Sequence, residues 1–539
     1  MLKWLSRYCS SLRAARDGNA SRAPAAVAQA TQLAPEEILA CVKQATEHLA
    51  LGEREDARDC YELALAHAAD CMPARLGLAR MLRESDETAA ALEHLQHALR
   101  LAPLDAGIHF ELALTRNRAG DVQGAVAAYQ RALELEPDYA AANTNLGLTY
   151  LSQLGDAHRA QEYFERAIAI DPGLVAAQAN LGLALEEQGQ GDAAIAHYER
   201  LISAHPAETE YRWHRALVLL GSGDYARGWE DYELRNARTT GVGPRVFPFP
   251  VWQGVALRKG AALLVYAEQG IGDEIMFASC VPDLLERGVN LVIECDPRLA
   301  MLFARSFPAA RVHGAPRDGD RSWLAQFPEI ETQISIASLP RLLRRNAADF
   351  PRHAGYLRAD PGRVARWRTR LAEEASGHKV GIAWGGGTAK TRRDLRSIAL
   401  AGLAPLLKVP GLTCVNLQRG AGAALAEFAS TQGARVVTVD EILEDIDETA
   451  ALMQALDGVI TADNSIAHLA GALGVRTFVM LAHHADWRWL QTVSASGWYP
   501  SLTLCRQART GDWAPVIDSV IAGLAFSPHD TRLLREHQG

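Results

Sequence analysis

At 539 residues the chain is too long for one ordinary hydrophobic core, and its length indicates three or four domains. Its 55 basic and 64 acidic residues give a net charge of −9, which argues against nucleic acid as a partner, and no apolar run approaches the roughly 20 residues that cross a bilayer, so we expect no membrane insertion. The eight cysteines form no C-x-x-C pair, which indicates reduced thiols in a cytoplasmic protein.

Residues 1–35 are basic at intervals but lack the continuous apolar stretch of a secretion signal. We predict a disordered or weakly ordered N-terminal segment there. The alternative is a short amphipathic helix with Trp4, Leu5 and Tyr8 on one face.

A repeat fills residues 36–238. Prolines recur every 34 or 35 residues, a period typical of a helical solenoid, at Pro103, Pro137, Pro172 and Pro206. In the same register small residues precede large ones, as Ala91, Ala125, Ala160 and Ala194 precede Leu95, Tyr129, Phe164 and Tyr198. These positions resemble the tetratricopeptide (TPR) pattern, so we predict an α-solenoid of five repeats and an altered sixth. An extra residue near Gly155 predicts one lengthened turn.

The resemblance to TPR arrays implies a concave face that holds a protein or peptide segment. Asn143, Asn145 and Asn180 lie on first helices of their repeats and are our candidates for acceptor binding, because paired amides suit a peptide backbone. Two alternatives stay open. These asparagines are solvated surface residues, or the array only spaces or dimerises the rest of the chain.

After Arg238 the helical period stops. Residues 239–258, rich in Gly and Pro, are predicted to form a linker, and short apolar runs alternate with helical segments beyond it. The predicted strands are 261–267, 290–294, 334–337, 379–384, 412–417, 435–439, 457–461 and 476–481. This spacing predicts parallel α/β sheets in two Rossmann-like domains, residues 259–360 and 361–530.

In such sheets ligands bind beyond the carboxyl ends of the strands. The loop after 261–267 contains Gly270, Gly272 and Asp273, and its glycines allow a ligand to approach the following helix closely. Asp273 is interpreted either as a helix N-cap or as a base that faces a cleft.

The loop after 379–384 combines glycines, threonines and cations, a composition that suits a diphosphate. A solvated basic loop is the alternative. The candidate donor-binding residues here are Gly386, Gly387, Thr388, Lys390, Arg392 and Arg396, together with Gln418 after the next strand.

The loop after 457–461 begins Asp463-Asn464-Ser465 and leads into a helix that contains His468. Asp463 or Ser465 is predicted to cap this helix, which leaves amides free for a phosphate or a sugar. His468 is either a donor contact or a packed core histidine.

Several segments resemble the catalytic part of bacterial TPR-linked glycosyltransferases, which are related to heptosyltransferases and protein O-GlcNAc transferases. They are AEQGIGDEIMFASCVPDLL, VGIAWGGG, ALMQALDGVITADNSIAHLAGALG and ADWRWL. The resemblance implies a GT-B fold, with an acceptor side at residues 259–360 and a nucleotide-sugar side at 361–530. It also implies that Asp273 is the catalytic base and that the segment from Asp463 to His468 forms the donor site.

We therefore expect an inverting, metal-independent glycosyltransferase without a cofactor, since the nucleotide sugar is a substrate. The expected acceptor is a Ser or Thr hydroxyl of a protein, flagellin among the candidates, held by the TPR groove. The alternatives are a scaffold with a degenerate GT-B domain and transfer to lipid or polysaccharide. Asp445 and Asp447 form a D-x-D pair, but Asp447 is predicted to be an N-cap and no metal is expected.

Overall fold

The computed structural model describes residues 33–237, 245–317, 319–351, 353–387 and 393–524. The chain divides into two compact units, Met1–Ala184 and Leu185–Gly539. In the part of the chain that the structure describes, no helix combines the length and the apolar character needed to cross a bilayer.

Helix pairs make up the first unit. Its helices are α1 (Pro35–Ala50), α2 (Arg54–His67), α3 (Met72–Glu84), α4 (Thr88–Leu101), α5 (Ala106–Arg118), α6 (Val122–Leu135), α7 (Ala140–Thr149), α8 (Ala157–Ile170) and α9 (Val175–Glu187), the last of which crosses into the second unit. The small and large residues of the repeat meet inside these pairs. A Cβ at Gly147 would lie 2.8 Å from the Phe164 ring, so only glycine fits there. The repeat register predicted from the prolines is therefore confirmed.

The extra residue near Gly155 lengthens the end of α7, as the sequence predicted. Tyr150–Leu154 forms a π-helical turn, and Gly155 follows it with a φ of 65°. That left-handed backbone favours glycine and lets α8 start in register with its neighbours.

The second unit begins with the end of the solenoid. Its helices here are α10 (Gly191–Ala204), α11 (Thr209–Ser222) and α12 (Tyr225–Tyr232), followed by a 3-10 turn, Glu233–Asn236. The aromatic residues of α12 pack into the α/β part: the Trp229 ring meets Phe277 and Trp487 edge to face, at centroid distances of 6.3 and 5.4 Å. Helices α11 and α12, which form the last hairpin of the solenoid, are thus part of the same core as the sheets that follow.

The first sheet is parallel, with the strand order β3-β2-β1-β4. Its strands are β1 (Ala262–Tyr266), β2 (Leu291–Cys295), β3 (Arg311–Gly314) and β4 (Ile330–Ser335). The helices between and after them are α13 (Ile271–Phe277), α14 (Val281–Glu286), α15 (Ala300–Ser306) and α16 (Leu339–Leu343). Strands β1 and β2 are buried along their whole length, which accounts for their largely apolar sequences. The one charged residue among them is Glu294 of β2, which is also buried.

The second sheet is also parallel, with the order β10-β9-β8-β5-β6-β7. Its strands are β5 (His378–Ala383), β6 (Leu412–Asn416), β7 (Val436–Val437), β8 (Gly458–Ala462), β9 (Thr477–Leu481) and β10 (Leu502–Arg506). Its helices are α17 (Pro361–Glu374), α18 (Arg393–Arg396), α19 (Ala404–Leu407), α20 (Gly422–Thr431), α21 (Ile446–Ala455), α22 (Ser465–Ala472) and α23 (Ala514–Gly523). Both sheets therefore have the parallel α/β arrangement that the sequence predicted.

Two strands were not predicted, and two were misplaced. Strand β3 is a short edge strand with no buried residue, so it lacks an apolar run, and β10 alternates only weakly. The strand predicted at 435–439 keeps only two residues, and the one predicted at 334–337 lies earlier, at Ile330–Ser335.

The segment after residue 244 lies along the first sheet. Arg245 donates to both carboxylate oxygens of buried Glu294 at 2.8 and 3.0 Å, and the Phe247 ring lies 4.7 Å from that of Tyr266. Phe247 thus packs on the sheet, in a cluster separate from the one that holds Trp229 of α12.

Candidate functional site

Asp273 lies in the first turn of α13, after the carboxyl end of β1. One of its carboxylate oxygens accepts the Gly270 amide hydrogen at 3.2 Å, and the other accepts from Arg488 at 2.5 Å. Gly270 occupies the capping position, so the N-cap interpretation of Asp273 is wrong by three residues. The carboxylate holds the start of the helix from inside. It faces a cation from the second half of the α/β part, the half that contains β5 to β10, whereas Asp273 belongs to the first half, which contains β1 to β4.

Arg488 belongs to a turn at residues 486–490 that contacts both halves of the α/β part. Its guanidinium also donates to Asp486 at 2.6 Å and lies 4.4 Å from the centre of the Trp487 ring. Burial opposes its charge, but Asp273 and Asp486 together raise the pKa of Arg488 well above its ordinary value. A permanent cation therefore sits beside Asp273.

The start of α22 is capped by Asn464. Its side-chain oxygen accepts the Ile466 amide hydrogen at 2.9 Å, and its side-chain nitrogen donates to the Gly385 carbonyl at 2.9 Å. The prediction that Asp463 or Ser465 caps this helix is therefore wrong. Because all three side chains can cap, the geometry of the strand end decides which one does.

Asp463 is instead paired with Arg396. Their closest atoms lie 2.6 Å apart, and the guanidinium also donates to the Asp463 carbonyl at 2.9 Å. Burial raises the pKa of the Asp463 carboxyl, although the charge of Arg396 acts in the opposite direction. Arg396 and Asp463, both predicted to contact a donor, thus bind each other. Their contact connects the segment after β5 with the loop after β8.

His468 is buried one turn into α22. Its ring stacks on Trp489 with centroids 5.1 Å apart, and its Nδ1 lies 3.0 Å from the Tyr499 hydroxyl. Burial, followed by the nearby Arg488, lowers the pKa of His468 to about 3. The imidazole is therefore neutral at physiological pH, and its surroundings favour the interpretation as a packed histidine.

Helices α13 and α22 touch at Gly272. A Cβ there would lie 3.0 Å from the His468 ring and 3.6 Å from the Ser465 backbone. This glycine is accounted for by helix packing, which brings the helix starts after β1 and β8 together.

The glycines after β5 pack against the segment that follows the basic loop. A Cβ at Gly386 would lie 2.6 Å from the Arg396 carbonyl oxygen, and Gly387 has a φ of +68°. Gln418 accepts the Gly385 amide hydrogen at 2.8 Å and so fixes the start of the loop. The other predicted loop residues, Thr388, Lys390 and Arg392, lie outside the described residues.

A cavity of about 370 Å³ opens between the two sheets, at their carboxyl ends. Its lining includes Ile275 and Arg298 from the first half and Gly387, Gln418, Asn464 and Ser465 from the second. The structure thus brings together four of the predicted donor residues. Asp273 and His468 face the 486–490 turn instead, through Arg488 and Trp489.

The solenoid end contributes contacts that the sequence did not predict. Tyr232 of α12 lies 3.1 Å from the side chain of Gln269, and buried Arg235 forms an ion pair with buried Glu268. The same guanidinium donates to Ser338 at 2.7 Å. The W-x-x-Y-x-x-R ending of the last repeat was the available signal, since its Trp, Tyr and Arg are Trp229, Tyr232 and Arg235.

Glu274, next to Asp273, was also missed. Its carboxylate is fully buried, accepts the Asp296 amide hydrogen at 2.9 Å and pairs with Arg317 at 2.8 Å. Burial raises the pKa of Glu274 to about 7 despite these partners.

Of the three candidate acceptor residues in the solenoid, one is buried and two are half-buried. Asn143 is 2% exposed, and its side chain donates to the Tyr139 carbonyl at 3.2 Å. Asn145 donates to the Ala141 carbonyl at 2.9 Å, and Asn180 is half-buried. Both bonded amides are therefore engaged by their own helix.

The D-x-D pair is occupied by contacts within the protein. Asp445 caps α21 by accepting the amide hydrogens of Asp447 and Glu448 at 2.9 and 3.1 Å. Asp447 forms an ion pair with Arg305 of the first half. The cap is therefore Asp445, and the prediction for Asp447 is wrong by two residues.

Comparisons with known proteins identify the repeats and a relative that is similar over most of this chain. A TPR repeat model matches residues 115–154, and two tetratricopeptide repeat models match residues 42–106 and 151–217. The chain is 30% identical over 465 residues to protein FlbA of Caulobacter vibrioides, a match that covers 83% of this chain and 72% of that protein.

Among solved structures, MamA is 26% identical over 30% of this chain and 94% of its own, with a TM-score of 0.28. A thermophilic TPR protein of Thermus thermophilus is 22% identical over 34% of this chain and 99% of its own, with a TM-score of 0.29.

Proposed function

The chain belongs to the family of protein FlbA, and we propose that its α/β part transfers a sugar from a nucleotide-sugar donor to an acceptor bound by the TPR solenoid. The observation that carries the proposal is the cavity between the carboxyl ends of two parallel sheets. Ligands of doubly wound sheets bind at such edges. The proposed overall arrangement is that of a GT-B enzyme, with two Rossmann-like domains that face one cleft.

The cavity lining suits a nucleotide diphosphate. Ser465 begins an eight-residue helix whose positive dipole end favours an anion. Arg298, which also pairs with Asp296 at 2.9 Å, adds a cation from the opposite wall. Gly387 allows close approach of the backbone. The apolar side chain of Ile275 offers a surface for a base or a sugar ring.

The proposed reaction is a single displacement with inversion and without a metal. The acceptor hydroxyl oxygen forms a bond to the anomeric carbon, and the bond from that carbon to the phosphate oxygen breaks. The leaving nucleotide keeps the electron pair, and the hydroxyl proton passes to the Asp273 carboxylate. A protein Ser or Thr is the proposed acceptor, with flagellin as one candidate, because TPR arrays hold protein segments.

A thermal screen tests the donor half of this proposal. UDP-, GDP-, CMP- and ADP-sugars are added separately to the full chain, and the Tm is measured. A ligand at 100 times its Kd stabilises the native state by about 2.7 kcal/mol, so the correct donor class raises the Tm. The proposal is abandoned if no nucleotide sugar changes it.

Asp273→Asn tests the catalytic half. With the donor that raises the Tm, this variant is expected to lose turnover by roughly 10²–10⁴-fold while its donor affinity stays within a few-fold, since only the base is removed. Asp518→Asn, an exposed position on α23, is the matched control and keeps wild-type turnover. Near-normal turnover in Asp273→Asn would remove Asp273 from the mechanism.

A non-catalytic scaffold is the second candidate, and one observation favours it. Asp273, the base of the proposed reaction, is already paired with Arg488, and Asp463, a predicted donor contact, is already paired with Arg396. A scaffold needs no more than the TPR surface. The thermal screen separates the two functions, because only the enzyme requires a donor site.

A further inference from the structure

We propose that Arg488 is a positioning residue for Asp273, and that the last helical hairpin of the solenoid, α11 and α12, holds Arg488 in place through the 486–490 turn. The role of Asp273 as a base rests on the proposed function. In this arrangement the end of the solenoid is a structural part of the site, and it has this role whether or not the solenoid also binds an acceptor.

The 486–490 turn lies between the hairpin and the two site helices. On one side the Trp487 ring contacts Trp229 and Tyr232 of α12, at centroid distances of 5.4 and 5.6 Å. On the other side Arg488 reaches Asp273 of α13, and Trp489 stacks on His468 of α22. Successive residues of one turn thus contact the hairpin and both helices.

The turn is held in a strained backbone conformation. Leu490 has a φ of 52° and a ψ of 168°, a region that a residue with a Cβ rarely occupies. Arg506 donates to the Leu490 and Trp489 carbonyls at 2.5 and 3.3 Å. Such strain persists only where the surroundings fix the chain, so the position of Arg488 is set by its neighbours.

Helix α11 packs closely against the same turn. A Cβ at Gly221 would lie 3.7 Å from the Trp487 Cα and 3.6 Å from the Gln491 side-chain nitrogen. A methyl group there would be in ordinary van der Waals contact with the turn, and a longer side chain would reach Trp487 and Gln491. The hairpin therefore limits how far the turn, and Arg488 with it, can move.

The first test measures the contact without any sugar transfer. In full-length Asp273→Cys, labelling by iodoacetamide is followed against pH by mass spectrometry of the peptide that contains residue 273. A neighbouring cation stabilises the thiolate, so adding Arg488→Met should raise the pH of half-maximal labelling by roughly one unit. Arg345→Met, at an exposed ion pair with Glu230 of α12, is the control and should leave it unchanged. Equal values with and without Arg488 would overturn the contact.

The second test perturbs the hairpin alone. In the Asp273→Cys background, Gly221→Leu should shift the labelling pH in the direction of Arg488→Met, because the larger side chain displaces the turn. Gly221→Ala fits the available space and should not. If Gly221→Leu does not fold, Trp487→Phe, which shrinks the contact with Trp229, serves as the second variant and should shift the labelling pH in the same direction. An unchanged labelling pH in the folded variants would overturn the role of the hairpin.

The third test connects position to turnover. With the donor found in the thermal screen, Arg488→Met should lower kcat at least 10-fold without a comparable change in KM for the donor, and Arg488→Lys should recover part of kcat. Full kcat in Arg488→Met would overturn the positioning role. The labelling results stand even if the chain transfers no sugar, so failure of this inference and failure of the proposed function are distinguishable.

Discussion

Asp273 and Glu274 are neighbours in the sequence, yet α13 places them in different surroundings. Successive helical residues point about 100° apart. The Asp273 side chain keeps 22% of its surface exposed and meets Arg488, whereas Glu274 is fully buried, with Arg317 and the Asp296 amide as partners. Asp273 therefore stays partly open to solvent, whereas Glu274 makes the local fold sensitive to pH.

The fold should lose stability as Glu274 ionises. Burial raises its pKa in the native state to about 7, from an ordinary value of 4.5, so the native state holds its proton more tightly than the unfolded state. The resulting stabilisation is fully present below pH 4.5 and is lost as the pH rises to about 7. A shift of this size corresponds to roughly 3 kcal/mol.

Denaturant unfolding at pH 5 and pH 8 checks this expectation. The Glu274→Gln side chain cannot ionise, so this variant should lose less free energy of unfolding between the two pH values than the wild type does. Glu286→Gln, on α14 of the same half, is the control and should behave like the wild type. The same pH dependence in Glu274→Gln as in the wild type would assign the effect to other groups.

At the scale of elements, periodicity was enough to predict most of the fold. The proline register located the helix pairs. The strands β1, β2, β5, β6, β8 and β9 lie within one or two residues of the predicted ones because each contains a run of buried apolar residues. Edge strand β3 was not predicted because its residues are exposed or half-buried and form no apolar run. Caps were misplaced by one to three residues because neighbouring Asp, Asn and Ser residues compete for the same role.

The candidate site was predictable only in its loops. Glycines and polar residues come immediately after the ends of β1, β5 and β8 in the sequence, and several of those after β5 and β8 line the cavity. The partner of Asp273 lies 215 residues away, at Arg488, and no local pattern connects the two. Long-range ion pairs depend on how two domains and a hairpin pack, which a periodic pattern does not contain.

Asn464 should be the most sensitive position at the start of α22. It caps the helix and holds the Gly385 carbonyl, so Asn464→Ala removes both bonds and should cost about 1–2 kcal/mol of stability. Asn464→Asp keeps a capping oxygen but cannot donate to Gly385, so it should lie between alanine and the wild type in stability, whereas its negative charge should weaken the binding of a nucleotide diphosphate more than alanine does. Calorimetry and denaturant unfolding measure the two effects. Unchanged affinity in both variants would show that this helix start is not part of the donor site.

At the scale of the whole molecule, the structural boundary does not follow the boundary between repeats and sheets. The second compact unit begins at Leu185, so the last helices of the solenoid group with the α/β part. Trp229 and Tyr232 are each 1% exposed and belong to the same apolar cluster as Leu263 and Val265 of β1. A division at the linker would therefore cut through a core.

This boundary predicts how fragments of the chain behave. A fragment of residues 185–539 should fold and bind the same nucleotide as the full chain, since the candidate cavity and the hairpin that supports the 486–490 turn both lie within it. A fragment of residues 245–539 keeps the cavity but loses α11 and α12. Burying one large apolar side chain contributes about 1.5–3 kcal/mol, and Glu268 would lose Arg235, its partner in a buried ion pair, at a cost of about 3–5 kcal/mol.

The shorter fragment is therefore expected to unfold at a clearly lower temperature than the longer one, or to aggregate through the exposed face. Calorimetric scans of both fragments, with and without the nucleotide that stabilises the full chain, measure this difference. Glu268→Gln in the shorter fragment is the matched control, because it removes the uncompensated charge and should restore part of the stability if the lost ion pair is the cause. Should residues 245–539 prove as stable as residues 185–539 and bind the nucleotide equally well, the hairpin would be an appendage of the α/β part, and the proposed support of Arg488 by the solenoid would fall with it.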